Sequence, residues 1–308
     1  MYGPKYNEII YNICKNNGIH YKKYDSDLVL LEYNNRNKYI WSRRFPNNPN
    51  SSCKIMDSKS LCSLVLKNYG IPSVYHQRLI HPCSPKYIQQ EISNFRFCCK
   101  YLKKHNKVVL KPDNSYEGTG VFFCKSEKEI EFALEKIFSN YKTASISKFI
   151  EIINEYRLFY LEGEILFAYK KVLPYVIGDG FSSIHELIIK LKNGNIDITN
   201  AMVDLNSIPQ EGEKVIISWK RNLSLGSTPE PINDKNQLIK LSSLAKSAAT
   251  AVDAHFVTID IIEDSNRNIQ VLEMNSGVAM DQFILQYEDG YNIAYKIYES
   301  AIRKIMLD

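Results

Sequence analysis

The most constraining stretch of this 308-residue chain is Phe256–Gly277, which reads FVTIDIIEDSNRNIQVLEMNSG. Two apolar runs, Val257–Ile262 and Ile269–Met274, flank a polar turn through Asp264, Ser265, Asn266, Arg267 and Asn268. That pattern describes a β-hairpin. Side chains alternate along a strand, so Glu273 and Asn275 leave the same face. A hairpin symmetric about Asn266–Arg267 sets Asp260 directly across from Glu273. Three oxygen-bearing side chains then meet at one end of an apolar hairpin, which is a donor set for a hard cation. A half-buried hairpin with acids on its wet face would be written in the same letters, so the rest of the chain has to decide.

The totals exclude several classes. A length of 308 residues suits two or three subdomains rather than one core. With 44% hydrophobic and 24% charged residues the chain reads as soluble and globular. The net charge of +5 is mild and no Lys/Arg-rich run occurs, which allows an anionic ligand without calling for nucleic acid. Seven scattered cysteines without a Cys-x-x-Cys spacing argue against a disulfide framework or zinc site and for a reducing compartment. The N-terminus has no signal-peptide core and no apolar run reaches membrane-spanning length. The expectation is a cytoplasmic protein with no membrane or nucleic-acid partner.

In chain order, the sequence predicts a helix near Tyr6–Cys14 and strands at Leu28–Glu32 and Lys38–Trp41, then a turn-rich connection from Arg43 to Ser52. Asp57 or Ser58 caps a helix that ends at Asn68-Tyr-Gly70. Lys59 sits in its first turn, where a cation is disfavoured by the helix dipole unless an anion is nearby. Val108–Lys111 is a buried strand stopped by Pro112. The loop Asp113–Gly120 follows, and its two glycines let backbone amides approach a phosphate. It is neither a P-loop nor a dinucleotide fingerprint. Ser126 and Glu129 form a capping box ahead of a helix with Ile130, Ala133, Leu134, Ile137 and Phe138 on one face. Ser145–Ile150 is a further strand, and Arg157 and Lys171 lie on the two strands after it. Gly178-Asp-Gly180 turns into a helix, residues 193–231 are polar and turn-rich, and helices from Asp234 and Tyr291 flank the central hairpin. The six histidines (His20, His76, His81, His105, His185, His255) have no metal or triad spacing and read as structural or solvated.

Placed in this order, the pieces resemble the ATP-grasp ligases, in the branch of cyanophycin synthetase, bacterial glutathione synthetase and ribosomal-protein glutamate ligase. The resemblance runs from about Lys54 to the C-terminus. It rests on Val109-Leu-Lys111-Pro with Asn114–Gly120, on Glu155-Tyr-Arg157, on Gly178-Asp-Gly180 before Ser-Ile-His-Glu-Leu-Ile, on Asn222-Leu-Ser-Leu-Gly226, and on Asp260 with Glu273-Met-Asn275. It implies an α/β (α+β) ATP-grasp fold in which two antiparallel-sheet subdomains hold ATP between them. A pre-grasp region would span 1–53, a lid subdomain 54–150, and a C-terminal subdomain with the metal site 151–308.

By the same resemblance Lys59 and Lys111 meet the α- and β-phosphates, and Ser115, Tyr116, Glu117, Gly118, Thr119 and Gly120 fold over the outer phosphates. Ser147, Lys148, Phe149 and Ile150 lie at the adenine and ribose edge. Asp260, Glu273 and Asn275 hold Mg2+, with Mn2+ as a substitute, and Arg157, Lys171 and Arg221 meet phosphate or the substrate carboxylate. Three positions depart from the pattern. Ser147 stands where relatives often have Glu, Ser218 where cyanophycin-type enzymes have Arg, and Ser276-Gly277 where many relatives turn on proline-glycine.

The implied activity is ADP-forming ligation of a carboxylate to an amine through an acyl phosphate. The carboxylate would belong to an amino acid, a peptide, or a carrier- or protein-linked group, and a homodimer is the usual assembly. A small-molecule kinase on the same scaffold and a non-catalytic nucleotide-binding protein are the alternatives. Phosphoryl transfer needs oxygen ligands, cations and a closing loop rather than a nucleophilic side chain. The absence of a Ser/His or Cys/His constellation in the sequence agrees with that.

Overall fold

Every residue from Phe256 to Glu263 is buried, on both faces of its strand, so this hairpin arm has to lie inside a layered structure. The computed structural model describes residues 4–85, 93–115, 119–191, 196, 198 and 201–308. The chain opens with α1 (Pro4–Asn16) and a meander of β1 (His20–Lys23), β2 (Leu28–Tyr33) and β3 (Arg36–Trp41). Then come α2 (Asn50–Asp57), α3 (Lys59–Asn68), β4 (Gln77–Ile80), α4 (Asn94–His105), β5 (Val108–Pro112), β6 (Phe122–Cys124), α5 (Glu127–Phe138) and β7 (Thr143–Lys148). The second half holds β8 (Ile152–Leu161), β9 (Glu164–Val172), β10 (Tyr175–Ile177), α6 (Ile184–Lys190), β11 (Lys214–Ile216) and β12 (Thr228–Pro231). It ends with α7 (Lys235–Ala251), β13 (Phe256–Asp264), β14 (Ile269–Asn275), α8 (Asp281–Gln286) and α9 (Gly290–Met306).

Two antiparallel sheets dominate. The larger has the order β12-β9-β8-β13-β14 and the smaller the order β4-β7-β5-β6. Pro229 and Pro231 confine β12 to the edge, where a missing N–H does no harm. One face of the larger sheet, through Leu158, Val257, Ile259, Ile261 and Met274, packs with α2, α3 and α7. Part of its other face, through Phe159, Leu161 and Phe256, packs with Ile9, Ile13, Phe283 and Ile302 of α1, α8 and α9. The smaller sheet buries Leu79, Leu110, Ala144 and Ile146 under Cys98, Ile130 and Ile137 of α4 and α5.

Several local expectations are met. Ser126 makes a full capping box with Glu129, and Ser58 caps α3 by accepting the Leu61 amide. Other features differ. Residues 50–57, expected as turn and approach to a cap, form α2, which starts after Pro49 without a side-chain cap and buries Ser52 and Met56. Strand β1, strand β4 and helix α4 were not legible. The lid was expected to begin at residue 54, yet Met56, Cys62 and Leu66 belong to the larger sheet's core. The Val74 and Val271 amides donate to the Val271 and Pro72 carbonyls respectively, both at 2.9 Å, so the chain stays with the larger sheet as far as Val74. It crosses to the smaller sheet at Tyr75–His76 and returns between Lys148 and Ile152.

Candidate active site

Asp260 pairs with Glu273, and Thr258 with Asn275, as expected for the hairpin. A bulge next to this pair places Val271 opposite Ile261. Glu273 and Asn275 share a face, and the Asn275 amide donates to Glu273 Oε1 at 3.4 Å. On the neighbouring strands Asp260 pairs with Arg157, Arg157 with Tyr169, and Glu155 with Lys171. The same face of the larger sheet is therefore apolar at one end, where Phe159 and Leu161 meet the helices, and ionic at the other.

The ionic end is closely bonded. Arg157 donates through Nε and Nη2 to the two oxygens of Asp260, each at 2.7 Å. Lys171 Nζ donates to Asp260 Oδ2 at 2.8 Å and to Glu155 Oε1 at 2.6 Å. Burial pushes the Asp260 carboxyl toward protonation, but Arg157 and Lys171 more than offset it and hold the pKa below the usual carboxylate range. Burial lifts Glu155 above that range despite Lys171. Burial and Arg157 both oppose a charge on Lys171, yet Asp260 and Glu155 outweigh them and raise its pKa. Arg221 donates to the Ile153 carbonyl at 3.0 Å and acts electrostatically on Glu155, so the third expected cation joins the same group.

Across from this row stands the smaller sheet. Lys111 is 8% exposed, and burial lowers its pKa to about 8, with Glu273, Asp113 and Glu155 opposing the shift and Lys59 adding to it. Lys59 opens α3, and the anion that excuses a cation there is Asp113. The Asp113 Oδ1 accepts the Ser60 amide at 2.8 Å, Oδ2 accepts the Ser58 and Ser60 hydroxyls, and its carbonyl accepts the Lys59 amide at 3.0 Å. Lys59 Nζ donates to the Ser115 carbonyl at 2.6 Å. The loop is thus pinned at its start, and it returns at Gly120. There φ is +71°, and an added Cβ would stand 3.0 Å from Pro112 Cγ. Tyr116, Glu117 and Gly118 lie outside the described residues, and Thr119 is exposed.

The last expected group is laid out along β7 and the crossing after it. Ser147 is buried on the strand, Lys148 is exposed, and Phe149 packs on Phe123 with ring centres 4.6 Å apart. Ile150 is half-buried in the linker. Sequence reasoning missed Asp113 as an anchor, Glu155 and Tyr169 as members of the ionic row, and His76 and Ser145 beside Lys111. For Glu155 a signal existed, since its i, i+2 spacing from Arg157 on a strand puts both on one face.

The donor set fits a hard divalent cation. Glu273 and Asn275 offer carboxylate and amide oxygens on one face. Asp260 contributes less freely than the sequence implied, because its two oxygens already accept three charge-assisted bonds. Among the described residues no cluster of three or more His, Cys, Asp or Glu side chains is placed to hold a metal, so the candidate donor set depends on the Asn275 oxygen beside the two acids.

No family model matches the chain. The glutathione biosynthesis bifunctional protein of Streptococcus agalactiae is 28% identical over 180 residues, which cover 50% of this chain and 24% of that protein. The chain thus matches only about a quarter of the length of that curated relative. Among solved structures, a bifunctional glutathione synthetase from Pasteurella multocida superposes with a TM-score of 0.59 at 18% identity, over 96% of this chain and 44% of that one. A D-alanine–D-alanine ligase from Bacillus anthracis gives a TM-score of 0.53 at 15% identity, over 84% of this chain and 71% of that one. With its two antiparallel sheets on either side of the ionic row, the chain has the ATP-grasp ligase fold and is similar in sequence to part of the glutathione biosynthesis bifunctional proteins.

Proposed function

We propose that the protein is an ADP-forming carboxylate–amine ligase, with residues from about 75 to 150 as the lid and the larger sheet as the base. The observation that carries this reading is the meeting of two complementary rows. Lys111 stands on the smaller sheet with Lys59 reaching it from the first turn of α3, and Glu155, Asp260 and Glu273 with Arg157, Lys171 and Arg221 stand on the larger sheet. A carboxylate is a poor acyl donor because its oxygens leave badly. Transfer of the terminal phosphoryl group of ATP to it gives a mixed anhydride, and the amine then displaces phosphate.

The residues divide the work by place. Lys59 and Lys111 neutralise the inner phosphates, and Arg157, Lys171 and Arg221 face the charge that develops on the transferring group. Glu273 and Asn275, with the remaining lone pair of Asp260, would hold Mg2+, or Mn2+ in its stead. When bound, the ion supplies charge neutralisation between the phosphates. The loop from Asp113 to Gly120 covers the outer phosphates, and residues 147–150 line the adenine edge. The substrate is a free or linked amino acid or peptide carboxylate. Seven free cysteines suit a reducing, cytoplasmic setting, and a homodimer belongs to the same reading.

A screen of amino acids and peptides with Mg-ATP tests the proposal. Turnover yields ADP and phosphate in equal amounts with the amide. With carboxylate and hydroxylamine in place of the amine, a hydroxamate accumulates. A phosphorylated product stable to hydroxylamine would mean a kinase, and AMP with pyrophosphate would mean adenylate chemistry; either result sinks the reading.

A further inference from the structure

The crossing from the larger to the smaller sheet passes through His76. Its amide is held by Ser63 Oγ at 3.0 Å, and the next residue, Gln77, pairs with Ile146. The His76 imidazole is 2% exposed, and among the described residues neither ring nitrogen has a well-aligned hydrogen-bond partner, although the Leu272 carbonyl lies close enough to draw on the ring. Two residues on, Arg78 pairs with Ser145, and Ser145 pairs in turn with Lys111. The Ser145 hydroxyl is fully buried and also has no partner.

Leu79, Leu110 and Ile146, which alternate with these residues, are committed to the apolar core under α4 and α5. Ser145 and Lys111 therefore face the opposite way, toward the larger sheet, whose Glu155 and Glu273 act on Lys111. The His76 ring lies within reach of the positive charge of Lys111 and Lys59. Burial first, and those two charges second, keep it neutral, against a weaker pull from the Leu272 carbonyl.

Native proteins seldom leave buried polar atoms unsatisfied, and orphans gathered in one place point to a missing partner. Here two imidazole nitrogens and one hydroxyl lie beside a buried ammonium that has no ion pair among the described residues. A neutral imidazole offers one N–H, a serine one O–H and an ammonium three, so the cluster is rich in donors. An oxygen anion with several lone pairs accepts from each of these donors, whereas an apolar group satisfies none.

We propose that His76 and Ser145 join Lys111 as a seat of three donors for a phosphate group of the bound nucleotide. The inference rests on the ligase reading for the nucleotide, while the seat itself is defined by phosphate chemistry alone.

Calorimetry of Mg-ADP, pyrophosphate and adenosine binding to wild type, Ser145→Ala, His76→Met and His76→Gln tests it. Ser145→Ala removes a single orphan oxygen, so the unliganded variant melts at or above the wild-type temperature. Affinity for Mg-ADP and for pyrophosphate falls about tenfold in Ser145→Ala and His76→Met, is partly kept in His76→Gln, and adenosine binding is unmoved. If wild type binds Mg-ADP and Ser145→Ala binds it equally well, the buried hydroxyl serves an internal water and the seat is wrong. Equal losses for adenosine and Mg-ADP would also overturn it, because the variant would then have disturbed the whole cleft. Wild type that binds pyrophosphate but no nucleotide removes the ligase reading and leaves the seat standing when Ser145→Ala weakens pyrophosphate. Wild type that binds neither removes both.

Discussion

The two walls of the cleft handle buried charge in opposite ways. On the larger sheet Arg157, Lys171, Asp260 and Glu155 satisfy one another through bonds of 2.6 to 2.8 Å. On the smaller sheet Lys111 is buried without an ion pair among the described residues, beside a hydroxyl and an imidazole that find no well-aligned partner among them. A buried charge needs compensation from somewhere. The larger sheet finds it within the fold and is complete before any ligand arrives. Among the described residues the smaller sheet forms no such pair, so a bound anion gains most of its energy there. Substitutions on the two walls should therefore move stability in opposite directions.

The largest effect is expected at Asp260. Asp260→Asn leaves Arg157 and Lys171 buried with one acid, Glu155, between them. Removing one partner of a buried ion group costs about 3–5 kcal/mol. The contribution has a pH signature. The folded-state pKa of Asp260 is depressed, so its stabilisation is present above the ordinary carboxylate value of 3.8 and fades as pH falls below it. Urea unfolding at pH 7 and again near pH 3 measures both: the gap between wild type and variant is wide at the first pH and narrows at the second. A variant as stable as wild type at pH 7 would show that the larger sheet is not self-compensated.

At Lys111 the sign reverses. Its folded-state pKa is lowered from 10.5 to about 8 by burial, so the charged form is disfavoured in the native state. Below about pH 8 the ammonium is charged in both states and its penalty is full. Between about 8 and 10.5 the native state gives up the proton before the unfolded chain does, and wild-type stability recovers. Lys111→Met should raise unfolding free energy at pH 7 by roughly 3 kcal/mol, and the advantage should shrink through that window. Mg-ADP affinity should fall about tenfold to a hundredfold in the same variant. A destabilised Lys111→Met protein at pH 7 would mean that the acids across the cleft already compensate this lysine, and the contrast between the walls would fail.

The same contrast governs what was legible in the sequence. The hairpin could be read because it closes through one short polar turn, but the bulge beside Asp260 that sets it against Glu273 rather than Leu272 has no mark in the sequence. Arg157 and Lys171 were legible as charges inside strands, and Glu155 follows as a partner of Lys171 once β8 and β9 pair through the tight Glu162–Gly163 turn, whereas Asp260 reaches both only through the distant pairing of β8 with β13. The smaller sheet is written less clearly. Strand β4 has four residues, only Leu79 of them buried, and α4 carries Cys98, Cys99 and Leu102 inward amid a basic, aromatic sequence. His76 read as one more structural or solvated histidine because nothing near it in the chain marks it. Its isolation arises where the chain crosses between sheets, against a lysine 35 residues later. The placement of residues 50–74 on the larger sheet was hidden for the same reason, since Met56, Cys62 and Leu66 show an apolar face without naming the sheet it covers.

The smallest effect on stability is expected at Glu273, which belongs to the larger sheet in sequence and to the cleft in function. It supports the charge on Lys111 and on Arg157, but it also sits across the hairpin from Asp260, which is already negative. Glu273→Gln removes attractions and a repulsion together while keeping shape, so the two changes offset. Unfolding free energy should stay within about 0.5 kcal/mol of wild type, the range of substitutions that break no buried pair. Turnover should nevertheless be almost abolished, because the carboxylate that Asn275 contacts is the least committed oxygen donor in the cleft. Thermal melts and ADP release on one preparation separate the outcomes. A folded variant with normal turnover would take Glu273 out of the site. A variant that loses several kcal/mol would make it a third member of the self-compensated row, and the metal position would then have to be redrawn around Asn275 and the remaining lone pair of Asp260.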